Sequence, residues 1–193
     1  MQYTKVSLEC ESEIIKEPII KTQKDWVPYF NEIGVKMISA PDIYRAAKEK
    51  NQEAVLTLRS DFEASVELTS TRVNYNTDNL QAEIVHDAGS TVVRPKSYNL
   101  LVPVIRGDFQ QDAETEKYLQ ALFDTEDSLS EILAVLNYLG ERRSIRLWTP
   151  TQDLRKVYPF CSVGLFFGGS GGFDVGGCGR FGNYGGGFSR GVQ

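Results

Sequence analysis

The chain has 193 residues, of which 41% are hydrophobic and 24% are charged, and its formal net charge is −5. This composition is typical of a soluble globular protein and excludes a wholly disordered or collagen-like chain. The sequence contains no run of about 18 apolar residues, which excludes a membrane-spanning helix.

The elements at the start of the chain are predicted to be short, and a long helix follows them. Alternating apolar residues indicate a strand over residues 6–10, and residues 24–33 have the pattern of a short helix. A helix is then predicted over residues 41–62, because Ser39 is a good N-cap and apolar residues recur behind it at helical spacing.

The middle of the chain has the composition of β-structure. Residues 66–75 and 80–86 predict a hairpin, because the turn-forming residues 76–79 lie between them. Two further strands are predicted over residues 91–94 and 100–105. Pro103 favours an edge position for the second, since proline cannot donate to a strand ladder.

Two helices and at least two strands are predicted in the remaining sequence. One helix covers residues 112–123, and a second starts at the capping box Ser128–Glu131 and ends at Gly140. Strands follow over residues 144–148 and 161–167. Strands and helices that come in groups favour an α+β fold, with a mostly antiparallel sheet, about three helices and a Gly-rich C-terminal β-meander.

We interpret the chain as an α+β core domain over residues 1–160 and a Gly/aromatic-rich β segment over residues 161–193. The segment is expected to pack on the core or extend it. Of the 17 glycines, 12 lie between Gly168 and Gly191. Charge is also divided along the chain, because residues 1–141 carry 14 basic and 24 acidic side chains, while residues 142–193 carry 7 and 2.

The N-terminal residues 1–16 lack the basic start and apolar centre of a secretory signal, so a cytoplasmic protein is expected. The three cysteines form no CxxC pair, which favours reduced thiols. A disulfide between Cys161 and Cys178 is the alternative.

His86 is the single histidine, so any mechanism that needs an imidazole must use it. If residues 80–86 form a strand, His86 shares a face with Ile84, while Glu83 and Asp87 lie on the other face. This arrangement does not favour a metal site, and a hydrogen-bonded surface histidine is the simpler interpretation. A metal-assisted hydrolase that uses His86 is kept as an alternative.

Asp124, Glu126 and Asp127 lie between two predicted helices and could hold a hard cation, but helix capping is favoured. The sequence has no P-loop, no GxSxG elbow and no HExxH motif. We therefore expect no catalytic residues, no metal and no cofactor, and we favour a protein that is not an enzyme over an enzyme.

The basic segment at residues 142–148 suggests a binding surface. Strand alternation places Arg142, Arg146 and Trp148 on one face, and arginine beside an aromatic ring can hold phosphate and stack a base. The alternative, which we favour, is that these arginines pair with the acidic helices of residues 112–131 and that Trp148 covers the core.

Aromatic residues alternate with glycines after Gly168, at Phe173, Phe181, Tyr184 and Phe188. This composition resembles the Gly/aromatic/Arg tails of RNA-binding hnRNP-type proteins, and the resemblance implies binding to single-stranded nucleic acid. No RNP1 motif accompanies it. The competing interpretation, which we favour, is a folded meander of short strands joined by glycine turns.

The function expected from these observations is a non-catalytic binding or assembly protein that uses its aromatic, Gly-rich C-terminal surface. A protein partner or self-association is expected, binding of single-stranded nucleic acid is the first alternative, and no membrane is involved. The candidate binding residues are Arg142, Arg146, Trp148, Phe173, Arg180, Phe181, Tyr184 and Phe188.

Overall fold

The computed structural model of the protein describes residues 22–75, 81–101, 106–108, 110–149, 160–178 and 189–192. The strand expected over residues 6–10 lies outside these residues. So do Arg180, Phe181, Tyr184 and Phe188.

Five helices form within the described residues, and polar caps start them. They are α1 (Gln23–Glu32), α2 (Ala40–Lys48), α3 (Gln52–Ala64), α4 (Ala113–Phe123) and α5 (Leu129–Leu139). Ser39 and Ser128 form capping boxes with Asp42 and Glu131, which satisfy backbone N–H groups that the helices leave open. The α+β class is confirmed, although the expected number of about three helices is too low.

The single helix predicted over residues 41–62 is wrong, because α2 ends at Lys48 and α3 begins at Gln52. Lys50 has a φ of 54°, in the left-handed region, which redirects the chain. The Asn51 side chain then accepts a hydrogen bond from the Ala54 N–H at 3.1 Å. An asparagine that bonds to the backbone in this way starts a new helix.

Nine strands build two sheets within the described residues. They are β1 (Lys36–Met37), β2 (Glu67–Tyr75), β3 (Gln81–His86), β4 (Lys96–Leu101), β5 (Arg106–Asp108), β6 (Ile145–Trp148), β7 (Phe160–Phe167), β8 (Phe173–Cys178) and β9 (Gly191–Val192). The large sheet has the order β4-β3-β2-β7-β8-β6-β5, and β1 pairs with β9. The β6–β8 pairing is parallel and the others are antiparallel.

The large sheet buries its two faces differently. Its helical face carries apolar side chains that share one core with α2 to α5, among them Val73, Ile84, Leu147, Val163 and Val175. On the opposite face, Leu68 packs with Trp26 and Phe30 of α1 in a second cluster. Burial of this apolar surface is the main contribution to the stability of the fold.

The predicted hairpin is present, since β2 and β3 pair with Val73 opposite Ile84. The strand expected over residues 91–94 is absent, and the backbone bends there. Polar side chains hold this bend, because Asn31 accepts a hydrogen bond from the Thr91 N–H and Ser90 accepts one from the Val92 N–H. These bonds replace the ladder partners that a strand would need.

The described strands from residue 160 onward belong to both sheets. Strands β7 and β8 lie between β2 and β6, so the large sheet takes strands from both sides of residue 160. Strand β9 pairs with β1 rather than with β8. The division into residues 1–160 and 161–193 stays a prediction.

Candidate functional site: a cleft beside Asp124

Three of the described aspartates each accept hydrogen bonds from one cationic and one aromatic side chain. Asp127 is bound by Lys48 and Tyr44, and the other two define two centres. The Asp174 centre consists of Asp174, Arg146 and Trp148, and the Asp124 centre consists of Asp124, Lys96 and Tyr98. The two centres differ in their exposure and in what surrounds them. The Asp174 centre contains two of the binding residues that the sequence suggests, Arg146 and Trp148.

The Asp174 centre lies on the opposite face of the sheet, where the parallel register places Arg146 directly beside Asp174. Arg146 Nη2 donates to Asp174 Oδ2 at 2.5 Å, and Trp148 Nε1 donates to Asp174 Oδ1 at 2.5 Å. The Asp174 side chain is only 1% exposed. A buried carboxylate with two donors of this kind is a structural anchor, because its charge is neutralised inside the protein.

The glycine-rich turn between β7 and β8 encloses this centre. Arg146 Nη1 donates to the Ser170 hydroxyl, and the Gly168 N–H donates to the Gly172 carbonyl at 2.9 Å. A Cβ atom at Gly168 or Gly172 would overlap the Arg146 guanidinium. Glycine is therefore required at these two positions by the close approach of the arginine.

The structure places the described candidate binding residues in several environments. Phe173 is fully buried in the core, and Arg146 is held by Asp174 and Ser170. The expected pairing of Arg146 with the acidic helices is wrong, because the partner that alternation and parallel register bring closest is Asp174. Arg142 is exposed and Trp148 is half-buried. The role of these residues in binding stays a prediction.

A nearby arginine also has intramolecular partners. The guanidinium of Arg143 lies over the Phe167 ring, 3.8 Å from its centroid, and donates to Glu63 at 3.0 Å. This contact joins the end of β7 to α3. Arg143 therefore stabilises the fold through a carboxylate and an aromatic ring.

The Asp124 centre lies on the helical side, where edge strand β4 meets the end of α4. Lys96 Nζ donates to both carboxylate oxygens of Asp124, at 2.8 and 2.9 Å, and Tyr98 donates its hydroxyl proton to the same carboxylate. Asp124 has a φ of 49° and forms the C-cap of α4. The left-handed backbone turns its side chain back toward β4.

Opposing effects set the ionisation of the Asp124 centre. Burial opposes the charged carboxylate, but the hydrogen bonds from Lys96 and Tyr98 outweigh it, so the pKa of Asp124 lies below its ordinary value. The same hydrogen bond to Asp124 raises the pKa of Lys96. The pair is therefore ionised at neutral pH.

An open cleft of about 470 Å³ adjoins this centre. Its lining comes from β4, the last turns of α4 and the following loop: Lys96, Tyr98, Lys117, Gln120, Ala121, Asp124, Thr125 and Glu126. The Asp124 side chain is 28% exposed and that of Lys96 is 58% exposed. The cleft has the volume of a small-molecule site, and charged groups of both signs line it.

His86 stands behind the wall of the cleft and does not line it. Its Nε2 lies 2.9 Å from the Ala121 carbonyl and its Nδ1 lies 3.1 Å from the Thr71 hydroxyl. The ring is 3% exposed, so the expectation of a surface histidine is wrong, although its hydrogen bonding was anticipated. Burial lowers the pKa of His86, because the imidazolium would lose hydration.

This geometry favours one tautomer of His86. Ala121 offers only a carbonyl oxygen, so Nε2 carries the proton and donates to it, while Nδ1 accepts from Thr71. The Ala40 N–H donates to the same Thr71 hydroxyl oxygen at 3.0 Å. Both ring nitrogens are engaged in joining β3 to α4 and β2, which is a positioning role.

The three acidic residues between α4 and α5 do not form one cation site. Asp124 binds Lys96, whereas Asp127 accepts from the Tyr44 hydroxyl at 2.7 Å and from Lys48 at 2.6 Å. Glu126 is exposed at the cleft. Within the described residues, no group of three or more His, Cys, Asp or Glu side chains is arranged to hold a metal ion.

A buried ionic cluster under α2 was not anticipated from the sequence. Lys36 Nζ lies 2.5 Å from Asp42 and 3.5 Å from Asp87, and Asp42 also caps α2 through Ser39. Burial raises the pKa of Asp87. Lys36 of β1 and Asp87 in the turn after β3 are far apart in sequence, and alternation within either element does not indicate their contact.

Comparisons with known proteins give this chain no relative. No protein-family model matches the sequence, and neither curated proteins nor solved structures show a significant similarity to it. No helix among the described residues is both long and apolar enough to cross a bilayer. Cys161 is buried in the core.

Proposed function

We propose that this protein is a non-catalytic binding protein and that the cleft beside Asp124 is its ligand site. The observation that carries the proposal is the combination of an open cavity of about 470 Å³ with a carboxylate that is part of its wall and already oriented by two donors. Orientation before binding reduces the entropy that a ligand must lose to form its contacts.

The surroundings of the cleft support binding rather than catalysis. The pKa of Asp124 is lowered, so this carboxylate is a poor base at neutral pH. The imidazole of His86 does not line the cavity, and both its nitrogens have hydrogen-bond partners. Tyr98 and Lys96 donate hydrogen bonds to Asp124 and hold its carboxylate in one orientation, which favours recognition of a ligand.

Two other binding surfaces derive less support from the geometry. The aromatic, Gly-rich C-terminal surface would need Phe173, which is buried, and Arg146, which Asp174 neutralises. Binding of single-stranded nucleic acid through Arg142, Arg146 and Trp148 meets the same difficulty, because a phosphate would have to compete with Asp174 for Arg146. The ion pair at the cleft is more exposed than the Asp174 pair, so a ligand displaces it at a lower cost.

A cleft-filling variant tests the proposal. Ala121 lines the cavity, so Ala121→Trp places an indole ring in it. The matched control is Leu56→Trp, at a helical position of α3 that is 63% exposed. Circular dichroism establishes that both variants are folded.

Binding of small cationic, anionic and neutral fragments is then measured by saturation-transfer NMR. We expect at least one chemical class to bind the wild type and Leu56→Trp, and to lose its signal with Ala121→Trp. If no class of fragment depends on Ala121 in this way, the cleft is not a ligand site and the proposal is wrong.

A further inference from the structure

The cleft already contains an ammonium group bound to its carboxylate, and this group is the side chain of Lys96. Lys96 Nζ is bonded to both oxygens of Asp124 and lies 5.2 Å from the centroid of the Tyr98 ring. A carboxylate together with an aromatic ring is the combination by which proteins bind alkylammonium ions. The C-terminal end of α4, where the helix dipole is negative, adjoins the same point.

This internal ammonium is held at the rim of the cavity and not in a sealed pocket. The Lys96 side chain is 58% exposed, and the cavity of about 470 Å³ is far larger than an ammonium group. The exposed ion pair is weak, because water competes for both charges. An external amine could therefore replace Lys96 on Asp124 with little loss of stability.

The charge around the cleft favours a cation. Within the lining itself, Lys96 and Lys117 balance Asp124 and Glu126. Withdrawal of Lys96 from the carboxylate leaves the remaining lining with a net negative charge.

We propose that the cleft binds a linear diamine or polyamine through its primary ammonium groups, and that Lys96 is an intramolecular competitor for the same carboxylate. The proposal rests on the function proposed above and adds the chemical class of the ligand. One ammonium group of the ligand takes the place of Lys96 on Asp124 and over Tyr98. Glu126 is the second carboxylate of the lining, available to the other end of the ligand.

The experiment is a calorimetric titration of the full chain with 1,4-diaminobutane at low ionic strength. Lys96→Met removes the competing charge and keeps a side chain of similar length. Because the ligand no longer has to break the exposed ion pair, we expect the diamine to bind about fivefold more tightly. Lys96→Arg keeps a competitor and should bind as the wild type does. Asp124→Asn should abolish binding in the Lys96→Met background.

A matched control separates this competition from a change in net charge. Lys24→Met removes the charge of an exposed lysine on α1, outside the cleft, and should leave diamine binding unchanged. Equal tightening in Lys24→Met and Lys96→Met, or none in Lys96→Met, overturns the proposal. Tighter binding of Nα-acetyl-lysine amide than of the diamine also overturns it, because the ligand would then be a lysine side chain of a protein.

Failure of this inference can be told apart from failure of the proposed function. If an anionic or neutral fragment binds in a manner blocked by Ala121→Trp while 1,4-diaminobutane does not bind, the cleft is a ligand site with a different specificity. If no fragment of any class binds there, both proposals are wrong.

Discussion

The Asp174 and Asp124 centres use the same kind of partners in different surroundings. Each aspartate binds one cationic side chain and one aromatic donor, Arg146 with Trp148 or Lys96 with Tyr98. The Asp174 side chain is 1% exposed beneath a glycine turn, whereas that of Asp124 is 28% exposed beside an open cleft. The two centres therefore differ in their enclosure and not in the identity of their partners.

The difference in exposure between the two centres changes the cost of breaking each ion pair. Inside the protein the charges of a pair are poorly screened, so removal of one partner leaves the other buried without compensation. At the surface, water and salt replace the lost partner. Matched substitutions in the two centres remove similar numbers of hydrogen bonds. We nevertheless expect them to lower the free energy of unfolding by very different amounts.

The largest expected effect is that of Asp174→Asn. The substitution leaves the largely buried guanidinium of Arg146 without its counterion, and we expect a loss of about 3 kcal/mol in the free energy of unfolding. Urea denaturation followed by circular dichroism measures it. A loss as small as that of Asp124→Asn would remove the distinction between the two centres.

A smaller effect is expected from Gly172→Ala. The added methyl group overlaps Arg146 and can be accommodated only if the arginine withdraws from Asp174, so we expect a loss of about 1–3 kcal/mol in the same measurement. Gly169→Ala is the control, since no atom lies within 4 Å of the place that its Cβ would take. Equal stabilities of the two variants would show that the turn does not enclose the arginine.

The pH dependence of stability should reveal the buried His86 behind the cleft. Its pKa is lowered in the folded protein, so as the pH falls below the ordinary value of 6.5 the unfolded chain takes up a proton that the folded chain does not. Stability should therefore fall from pH 7 to pH 5. His86→Gln should weaken this dependence, as measured by urea denaturation at each pH.

The raised pKa of Asp87 contributes with the opposite sign, since the folded protein holds that proton more tightly than the unfolded chain. The contribution of Asp87 appears at pH values above its ordinary pKa of 3.8, and it is present in both the wild type and His86→Gln. The difference between wild type and His86→Gln therefore isolates the histidine. Parallel pH profiles for the two would contradict a buried neutral imidazole.

The smallest expected effect is that of Asp124→Asn on stability. Its ion pair with Lys96 is exposed, and the asparagine can still accept a hydrogen bond from Tyr98, so we expect a loss of at most about 1 kcal/mol. Thermal unfolding at low and high salt measures it. A loss equal to that of Asp174→Asn would assign a structural role to the Asp124 centre.

Local features of the fold could be predicted from the sequence, because their causes are local. The capping residues Ser39 and Ser128 indicate where α2 and α5 begin, and alternation indicates the hairpin of β2 and β3. The break at Lys50 was missed, since an asparagine within an apolar pattern is compatible with a continuing helix until its own cap bond is seen.

The candidate site could be predicted only in part. Asp124 was identified as an acidic residue between helices, but its partner Lys96 lies 28 positions away on another element, and only the packing of α4 against β4 brings them together. Arg146 and Asp174 are likewise joined by a parallel strand pairing. Composition indicated glycine turns near the C-terminus without indicating that two of these glycines make room for an arginine.

We propose that the Asp124 centre is available to a ligand and that the Asp174 centre is not. Titration of the isotope-labelled full chain with 1,4-diaminobutane, followed by two-dimensional NMR of the backbone amides, tests it most directly. We expect saturable shifts at Lys96, Tyr98 and Asp124, and none at Arg146 and Asp174. Shifts at Arg146 and Asp174 without shifts at the cleft would contradict the claim.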